Sequence, residues 1–150
     1  INLNENIDTS ILSKLLSQLG AKSLMNVIDK LEKNEVNFVE QNHNEATYAK
    51  KITKTESEIK WDQNANFILA KINGLNPNPG AWFKYKNERY KVWKAKISNG
   101  SGSHGSTIDN NLTVACKDKS ISILVIQKEG KSKQTIDQFT YKITCINCNI

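Results

Sequence analysis

The stretch AWFKYKNERYKVWKAKI, residues 81–97, decides the fold of this 150-residue chain. Side chains alternate with a period of two over 81–86 and again over 89–97, and two polar residues separate these segments. The pattern predicts two strands joined by a tight turn, a β-hairpin. The inward parity shifts between Val92 and Trp93, which predicts a β-bulge in the second strand.

The segments around the hairpin add short strands and one helix. Residues 121–127 and the alternating residues 112–117 predict two more strands. Asp62 precedes apolar residues at helical spacing over 65–72, so it is the predicted N-cap, and Gly74 is the predicted C-terminal cap. With a short terminal helix, these elements predict a mainly β fold, a small barrel of the OB type.

The first third of the chain has a different pattern. Apolar residues recur at helical spacing over 11–19 and 24–31 with Gly20 between them, which predicts two helices. Two such helices cannot bury their apolar faces alone, so we expect them to end a domain whose main part lies upstream. The chain begins with Ile1, which is consistent with a fragment. The predicted parts are 1–34 as the end of that domain, 35–46 as a linker, and 47–150 as the barrel.

Charge separates the same regions. The whole chain carries +6, but residues 1–47 carry −3 and residues 48–150 carry +9. A basic domain attracts polyanions through a long-range field, while the alternative is that the lysines only keep the surface solvated. The longest apolar run, 123–126, is far too short to span a bilayer, and no signal peptide is visible. We expect a cytoplasmic protein without a membrane partner.

The hairpin is also the first candidate for binding. It holds five of the eleven aromatic residues, and basic residues are interleaved with them. Rings and cations on neighbouring strands are typical of OB-type nucleic-acid surfaces, although we expect the rings mainly to fill the barrel core. The candidate nucleic-acid contacts are Lys50, Lys51, Lys54, Lys84, Lys86, Arg89, Lys91, Lys94, Lys131 and Lys133.

Other chemistries have little support in the sequence. Cys145 and Cys148 form one C-x-x-C pair near the chain end without the further ligands of a zinc site, so no metal is expected. The odd number of cysteines favours a reducing compartment. His43 and His104 lie in polar segments with no acid or nucleophile in a clear relation to them. The acidic residues of the barrel fit turns and caps.

Several fragments, in this order, resemble the C-terminal part of the methionyl-tRNA formyltransferase family. They are ATYAKKI (46–52), Ile59 with Trp61, LNPNPGAW (75–82) and KVWKA (91–95), followed by Gly130, Lys131 and Phe139. The chain departs from the usual pattern of that family at Lys60, Asn73, Gly74 and Asn78. The resemblance covers nearly the whole chain.

The resemblance implies a bacterial enzyme that transfers a formyl group from 10-formyltetrahydrofolate to the amino group of initiator methionyl-tRNA. It places the donor and a catalytic Asn, His and Asp in an upstream Rossmann-like domain, so no catalytic residue is carried over and the chain alone is expected to be inactive. It makes the basic candidates tRNA contacts, and we expect a monomer. Two alternatives remain: the second domain of a formyltetrahydrofolate hydrolase or sugar formyltransferase, and a stand-alone nucleic-acid-binding protein.

Overall fold

The computed structural model describes residues 1–140 and divides into two compact units. One unit comprises Ile1–Thr9 and the chain from Thr53 onward, and the other comprises Ser10–Ile52. The cysteine pair of the sequence analysis lies outside the described residues. The functional boundaries at residues 34 and 46 stay a prediction.

The unit Ser10–Ile52 contains nearly all of one long helix, α1 (Thr9–Glu32), and a 3₁₀ turn, His43–Glu45. The prediction of two helices broken at Gly20 is wrong. One glycine costs a helix interior about 1 kcal/mol relative to alanine, and the strong helix formers on both sides outweigh that cost. No residue of α1 is buried, so its apolar stripe stays exposed within this unit.

Helix α2 (Ala65–Leu75) opens the barrel unit and buries Ala65, Ile68, Leu69, Ile72 and Leu75. Its predicted caps are wrong. The helix runs past Gly74, and the residue before it makes no side-chain cap. Instead, the backbone N–H of Ala65 donates to the Asp118 carboxylate at 2.8 Å, and this bond holds the pKa of Asp118 below its usual value. The cap comes from a distant turn.

The strands are β1 (Trp82–Tyr85), β2 (Glu88–Ser98), β3 (Thr113–Ala115), β4 (Ser120–Lys128) and β5 (Gln134–Thr135), and a short helix α3 (Ile136–Thr140) follows. These five strands form one antiparallel sheet in the order β1-β2-β4-β3, with β5 beside β4. The mainly β fold with few helices is confirmed, and the sheet curls like half a barrel. The register between β2 and β4 shifts between Val92 and Lys94, which confirms the predicted bulge.

The core lies between α2 and the inner face of the sheet, which is formed largely by β2 and β4. Four aromatic rings follow one another through it: Trp61 meets Phe83 edge-on at 5.6 Å between centroids, Phe83 stacks on Tyr90 at 5.6 Å, and Tyr90 meets Phe139 at 5.9 Å. Such contacts stabilise the packing beyond the area that they bury. The expectation that the rings of the hairpin fill the core is confirmed for Phe83 and Tyr90, with the partly buried Tyr85 packed against it.

Candidate nucleic-acid interface

The basic residues of the hairpin share the outer face of the sheet, opposite the core. Tyr90 and Val92 are buried in the core, so Arg89 and Lys91, which alternate with them, project to the other side. Cross-strand register extends this face, because directly paired residues share a side. Lys84 pairs with Arg89 across the hairpin, and Lys91 pairs with Trp82 on one side and Gln127 on the other.

Arg89 lies on an aromatic platform. Its guanidinium carbon is 4.3 Å from the centre of the Trp82 ring. Trp82 is 9% exposed, and its indole N–H donates to the Lys54 carbonyl at 3.2 Å. Burial and this hydrogen bond together hold the ring in place. A cation held over a fixed ring keeps its charge exposed while its orientation is limited. Arg89 is therefore preorganised toward the solvent side of the sheet.

Lys91 is held from two sides. Its ammonium lies 4.1 Å from the centre of the Trp93 ring and donates to the Pro77 carbonyl at 2.8 Å. The stem of Lys91 crosses directly over Gly80, where a Cβ would overlap its Cε. Gly80 also has a φ of +83°, which a residue with a side chain rarely adopts. The turn of residues 76–80 thus positions this lysine.

A second lysine occupies the same ring. Lys133 lies on the loop between β4 and β5, and its ammonium is 3.2 Å from the centre of the Trp93 ring. The Trp93 indole N–H donates to the Gln127 side-chain oxygen at 2.8 Å, and the Gln127 side-chain nitrogen donates to the Lys131 carbonyl at 2.7 Å. One glutamine thereby joins the ring to the loop that carries Lys131 and Lys133.

These cations carry uncompensated charge. In residues 1–140 the ion pairs are Lys60 with Glu58 at 2.9 Å and Lys128 with Glu88 at 2.6 Å. Neither pair includes Arg89, Lys91 or Lys133. Burial lowers the pKa of Lys91, and the neighbouring charges of Lys133 and then Arg89 lower it further. The site favours an anion that relieves this repulsion.

We call the set Trp82, Lys84, Arg89, Lys91, Trp93 and Lys133 the basic face. A shallow pocket opens on it, and its lining residues are Arg89, Lys91, Gln127, Glu129 and Gly130. Glu129 is the one acidic residue in that lining. The Glu129 backbone N–H donates to the Arg89 carbonyl at 2.9 Å, so this acidic residue lies beside Arg89 and an anion is best placed near Lys91.

The other predicted contacts lie around the basic face or away from it. Lys86 is at the hairpin turn, with its ammonium 5.2 Å from the Tyr85 ring. Lys94 is exposed on β2 and pairs with Val125. Lys131 is exposed on the loop, and Lys54 is exposed just before the barrel core. Lys50 and Lys51 are exposed in the other unit.

Sequence reasoning missed the roles of three residues at this site. Trp82 and Trp93 carry cations on the outer face rather than filling the aromatic core, and Gln127 links Trp93 to the loop. The signal for Trp82 was its alternation with Phe83, whereas the parity shift at the bulge left no such signal for Trp93. Gln127 had no signal beyond its position on β4.

The described part of the chain holds no arrangement of side chains suited to metal binding or thiol chemistry. No group of three or more His, Cys, Asp or Glu side chains there could hold a metal ion. Cys116 is buried, and burial raises its pKa to about 11, which keeps the thiol protonated and unreactive. No helix within residues 1–140 is long and apolar enough to cross a membrane.

The departures from the family pattern now have structural surroundings. Lys60 forms a surface pair with Glu58, and Asn78 is exposed in the turn. Asn73 donates from its side chain to the Glu5 carbonyl at 2.9 Å, and the Gly74 carbonyl accepts from the Thr9 hydroxyl at 2.6 Å. None of the four belongs to the basic face.

Comparison with known proteins gives the same assignment at the level of the domain. Residues 51–143 match the family described as "Formyl transferase, C-terminal domain". The chain is 41% identical over 140 residues to the methionyl-tRNA formyltransferase of Pelagibacter ubique (strain HTCC1062), covering 93% of this chain and 45% of that protein. It is 36% identical over 143 residues to the methionyl-tRNA formyltransferase of Rhodopseudomonas palustris (strain BisB18), covering 93% and 46%. The chain thus spans less than half the length of these relatives.

Solved structures agree on the fold. A variant of HypX from Aquifex aeolicus superposes with a TM-score of 0.69 at 15% identity, over 93% of this chain and 26% of that one. HypX in complex with tetrahydrofolic acid superposes with a TM-score of 0.62 at 16% identity, over 79% and 22%. At this identity the likeness extends to the fold alone. The family match covers most of the chain, and the chain belongs to the formyl transferase C-terminal domain family.

Proposed function

We propose that this chain is the tRNA-binding part of a methionyl-tRNA formyltransferase. In the parent reaction the formyl group passes from 10-formyltetrahydrofolate to the amino group of initiator methionyl-tRNA in the bacterial cytoplasm. The role of this part is to capture the tRNA electrostatically and orient it, so that its acceptor end reaches the catalytic domain. We expect the chain to act as a monomer.

The basic face is the observation that supports this function best. Arg89, Lys91 and Lys133 are held on tryptophan rings, and none of them has a carboxylate partner within the described residues. Cations kept apart from acids and fixed in position suit the phosphates of a structured RNA, whose spacing is also fixed. Contacts of this kind set affinity and orientation and do not read sequence.

The formyl donor does not fit the described residues. The pocket that contains His104 also includes Asp62 and Lys84 but no asparagine, so it lacks the Asn, His and Asp set that the family resemblance implies. We derive no step through the folate from these residues. The donor and the catalytic trio belong, in this proposal, to the part of the enzyme that the chain does not span.

The test is binding of the 150-residue chain to initiator tRNA over a salt series. The logarithm of the binding constant should fall linearly with the logarithm of the salt concentration, because phosphate contacts release counterions. A triple variant, Lys84→Gln with Lys86→Gln and Lys91→Gln, should bind more weakly with a flatter slope.

The matched control removes three other exposed lysines, Lys22, Lys117 and Lys119, with the same change in net charge. It should bind nearly as tightly as the unchanged chain. Absence of binding at low salt would contradict the tRNA role and favour a domain that serves a formyltetrahydrofolate hydrolase or sugar formyltransferase. Equal losses in both triple variants would mean that net charge, rather than the basic face, determines binding.

A further inference from the structure

Gln127 uses both ends of its side-chain amide. Its oxygen accepts the Trp93 indole N–H at 2.8 Å, and its nitrogen donates to the Lys131 carbonyl at 2.7 Å. These bonds form a bridge that runs from strand β2, through strand β4, to the loop before β5. Replacing Gln127 removes this tie between the loop and the sheet, and replacing Trp93 removes the bond that anchors the Gln127 side chain.

The bridge controls where one cation lies. Lys133 follows the tethered Lys131 by two residues, and its ammonium lies 3.2 Å from the centre of the bridged Trp93 ring. An exposed loop lysine without such a tie samples many rotamers, and ordering it on a ligand costs conformational entropy. The bridge reduces that cost by holding the loop before the ligand arrives.

A second cation on the same ring is already fixed. Lys91 is 4.1 Å from the centre of the Trp93 ring, bonded to the Pro77 carbonyl. Two ammonium groups on one ring repel each other, and no described carboxylate pairs with either of them. Both ammonium groups lie within 4.1 Å of one ring centre, so a single phosphate group beside that ring can contact both of them, next to the pocket that Arg89 and Gly130 help to line.

We propose that Lys91 and Lys133 together bind one backbone phosphate of the RNA, and that Gln127 is the positioning residue that presents Lys133 to it. The inference rests on the proposed function, because it assigns one contact within the tRNA-binding face. Glu129 lies beside Arg89 in the lining of the pocket, so its carboxylate disfavours the Arg89 end and leaves the phosphate on the side of Lys91.

The first test uses Gln127→Met, which keeps the size and the net charge of the side chain but removes both hydrogen bonds. Fluorescence anisotropy with labelled initiator tRNA should show binding weakened about three- to tenfold, as for the loss of one hydrogen bond. The salt slope should flatten by about 1, because one phosphate contact is lost without any change in protein charge. Gln134→Met is the matched control, since its side chain takes no part in the bridge, and it should bind like the unchanged chain.

The second test asks whether Gln127 acts through Lys133. Lys133→Ala should weaken binding about as much as Gln127→Met, and the double variant should be no weaker than either one, because the two changes remove the same contact. Trp93→Phe removes the bond that anchors the Gln127 amide while keeping an aromatic ring, so it should weaken binding in the same direction as Gln127→Met. Thermal unfolding identifies any variant that does not fold, and Trp93→Phe then replaces Gln127→Met in the double variant.

Two results would overturn the proposal while tRNA binding itself stands. One is a Gln127→Met chain with unchanged affinity and slope. The other is a double variant whose loss is the product of the two single losses, which would mean that Gln127 and Lys133 act separately. A chain that binds no tRNA at any salt concentration would instead overturn the proposed function together with this contact.

Discussion

Aromatic residues have different roles on the two faces of the β1–β2 hairpin. On the inner face, Phe83 and Tyr90 stack on each other and are 3% and 4% exposed. On the outer face, Trp82 and Trp93 present ring faces to Arg89, Lys91 and Lys133. The indole N–H explains the choice of residue, because each outer ring is fixed by a hydrogen bond that phenylalanine cannot make.

Titration behaviour differs between the faces for one shared reason. Burial raises the pKa of Tyr90 to about 12, helped by its hydrogen bond to Glu88, so the inner hydroxyl stays neutral. Burial lowers the pKa of Lys91, and neighbouring cations add to the effect. Removal from water favours the neutral form in both cases. Only on the outer face can a bound anion reverse the shift, so we assign stability to the inner face and propose binding for the outer face.

The largest expected effect belongs to the inner face. Phe83→Ala removes the ring that contacts both Trp61 and Tyr90, so the free energy of unfolding should fall by about 3–5 kcal/mol. Urea unfolding followed by fluorescence measures this change. Under conditions where the variant is folded, its tRNA affinity should change little. A large loss of tRNA affinity in the folded variant would contradict the separate roles assigned to the two faces.

Arg89→Met should show the reverse behaviour. The guanidinium is part of the basic face, so tRNA binding should weaken about tenfold and the salt slope should flatten by about 1. The unfolding free energy should change by no more than about 1 kcal/mol, since the contact with Trp82 is half-exposed. Anisotropy and urea unfolding on the same samples check both parts. Stability lost without affinity would place Arg89 among the structural residues instead.

Gly80→Ala tests whether the turn positions Lys91. The alanine Cβ would displace the lysine stem and would occupy a φ of +83°, so we expect about 1–2 kcal/mol of destabilisation and binding weakened severalfold. Gly74→Ala is the control, because a Cβ there would meet nothing within 4 Å and Gly74 lies outside the basic face. If both variants bind equally well, the position of Lys91 does not depend on Gly80.

The smallest effect is a pH dependence. The pKa of Lys91 lies below its ordinary value of 10.5, and only the protonated form binds phosphate. Affinity for tRNA should therefore be complete well below that pKa and should decline as the pH rises toward it. Lys91→Arg stays charged and should flatten the alkaline part of the profile. A wild-type profile as flat as that of the arginine variant would contradict a role for this ammonium.

The sequence predicted the elements that depend on local periodicity. The hairpin, its bulge and the buried stripe of α2 all follow from alternation and helical spacing, which local side chains determine. The cap of α2 could not be predicted this way, because Asp118 lies 53 residues from Ala65, whose backbone N–H donates to its carboxylate. Gly20 misled for a related reason: a single glycine is a weak signal when the residues around it favour helix.

The candidate site was predicted by residue type but not by arrangement. Arg89, Lys91 and Lys133 were all expected to contact nucleic acid, and the structure places all three on tryptophan rings. The roles of Trp93 and Gln127 depend on contacts across 34 residues, which no local pattern encodes. Their part in binding was therefore visible only in three dimensions.

The most direct measurement follows the three indole N–H signals of the ¹⁵N-labelled chain while initiator tRNA is added. Trp82 and Trp93 lie on the outer face, and Trp61 lies in the core with 7% of its surface exposed, so it is an internal reference. The account predicts that the Trp93 and Trp82 signals shift or broaden first, while the Trp61 signal stays in place. Binding that moves the Trp61 signal and leaves the other two unchanged would place the RNA elsewhere and contradict the account.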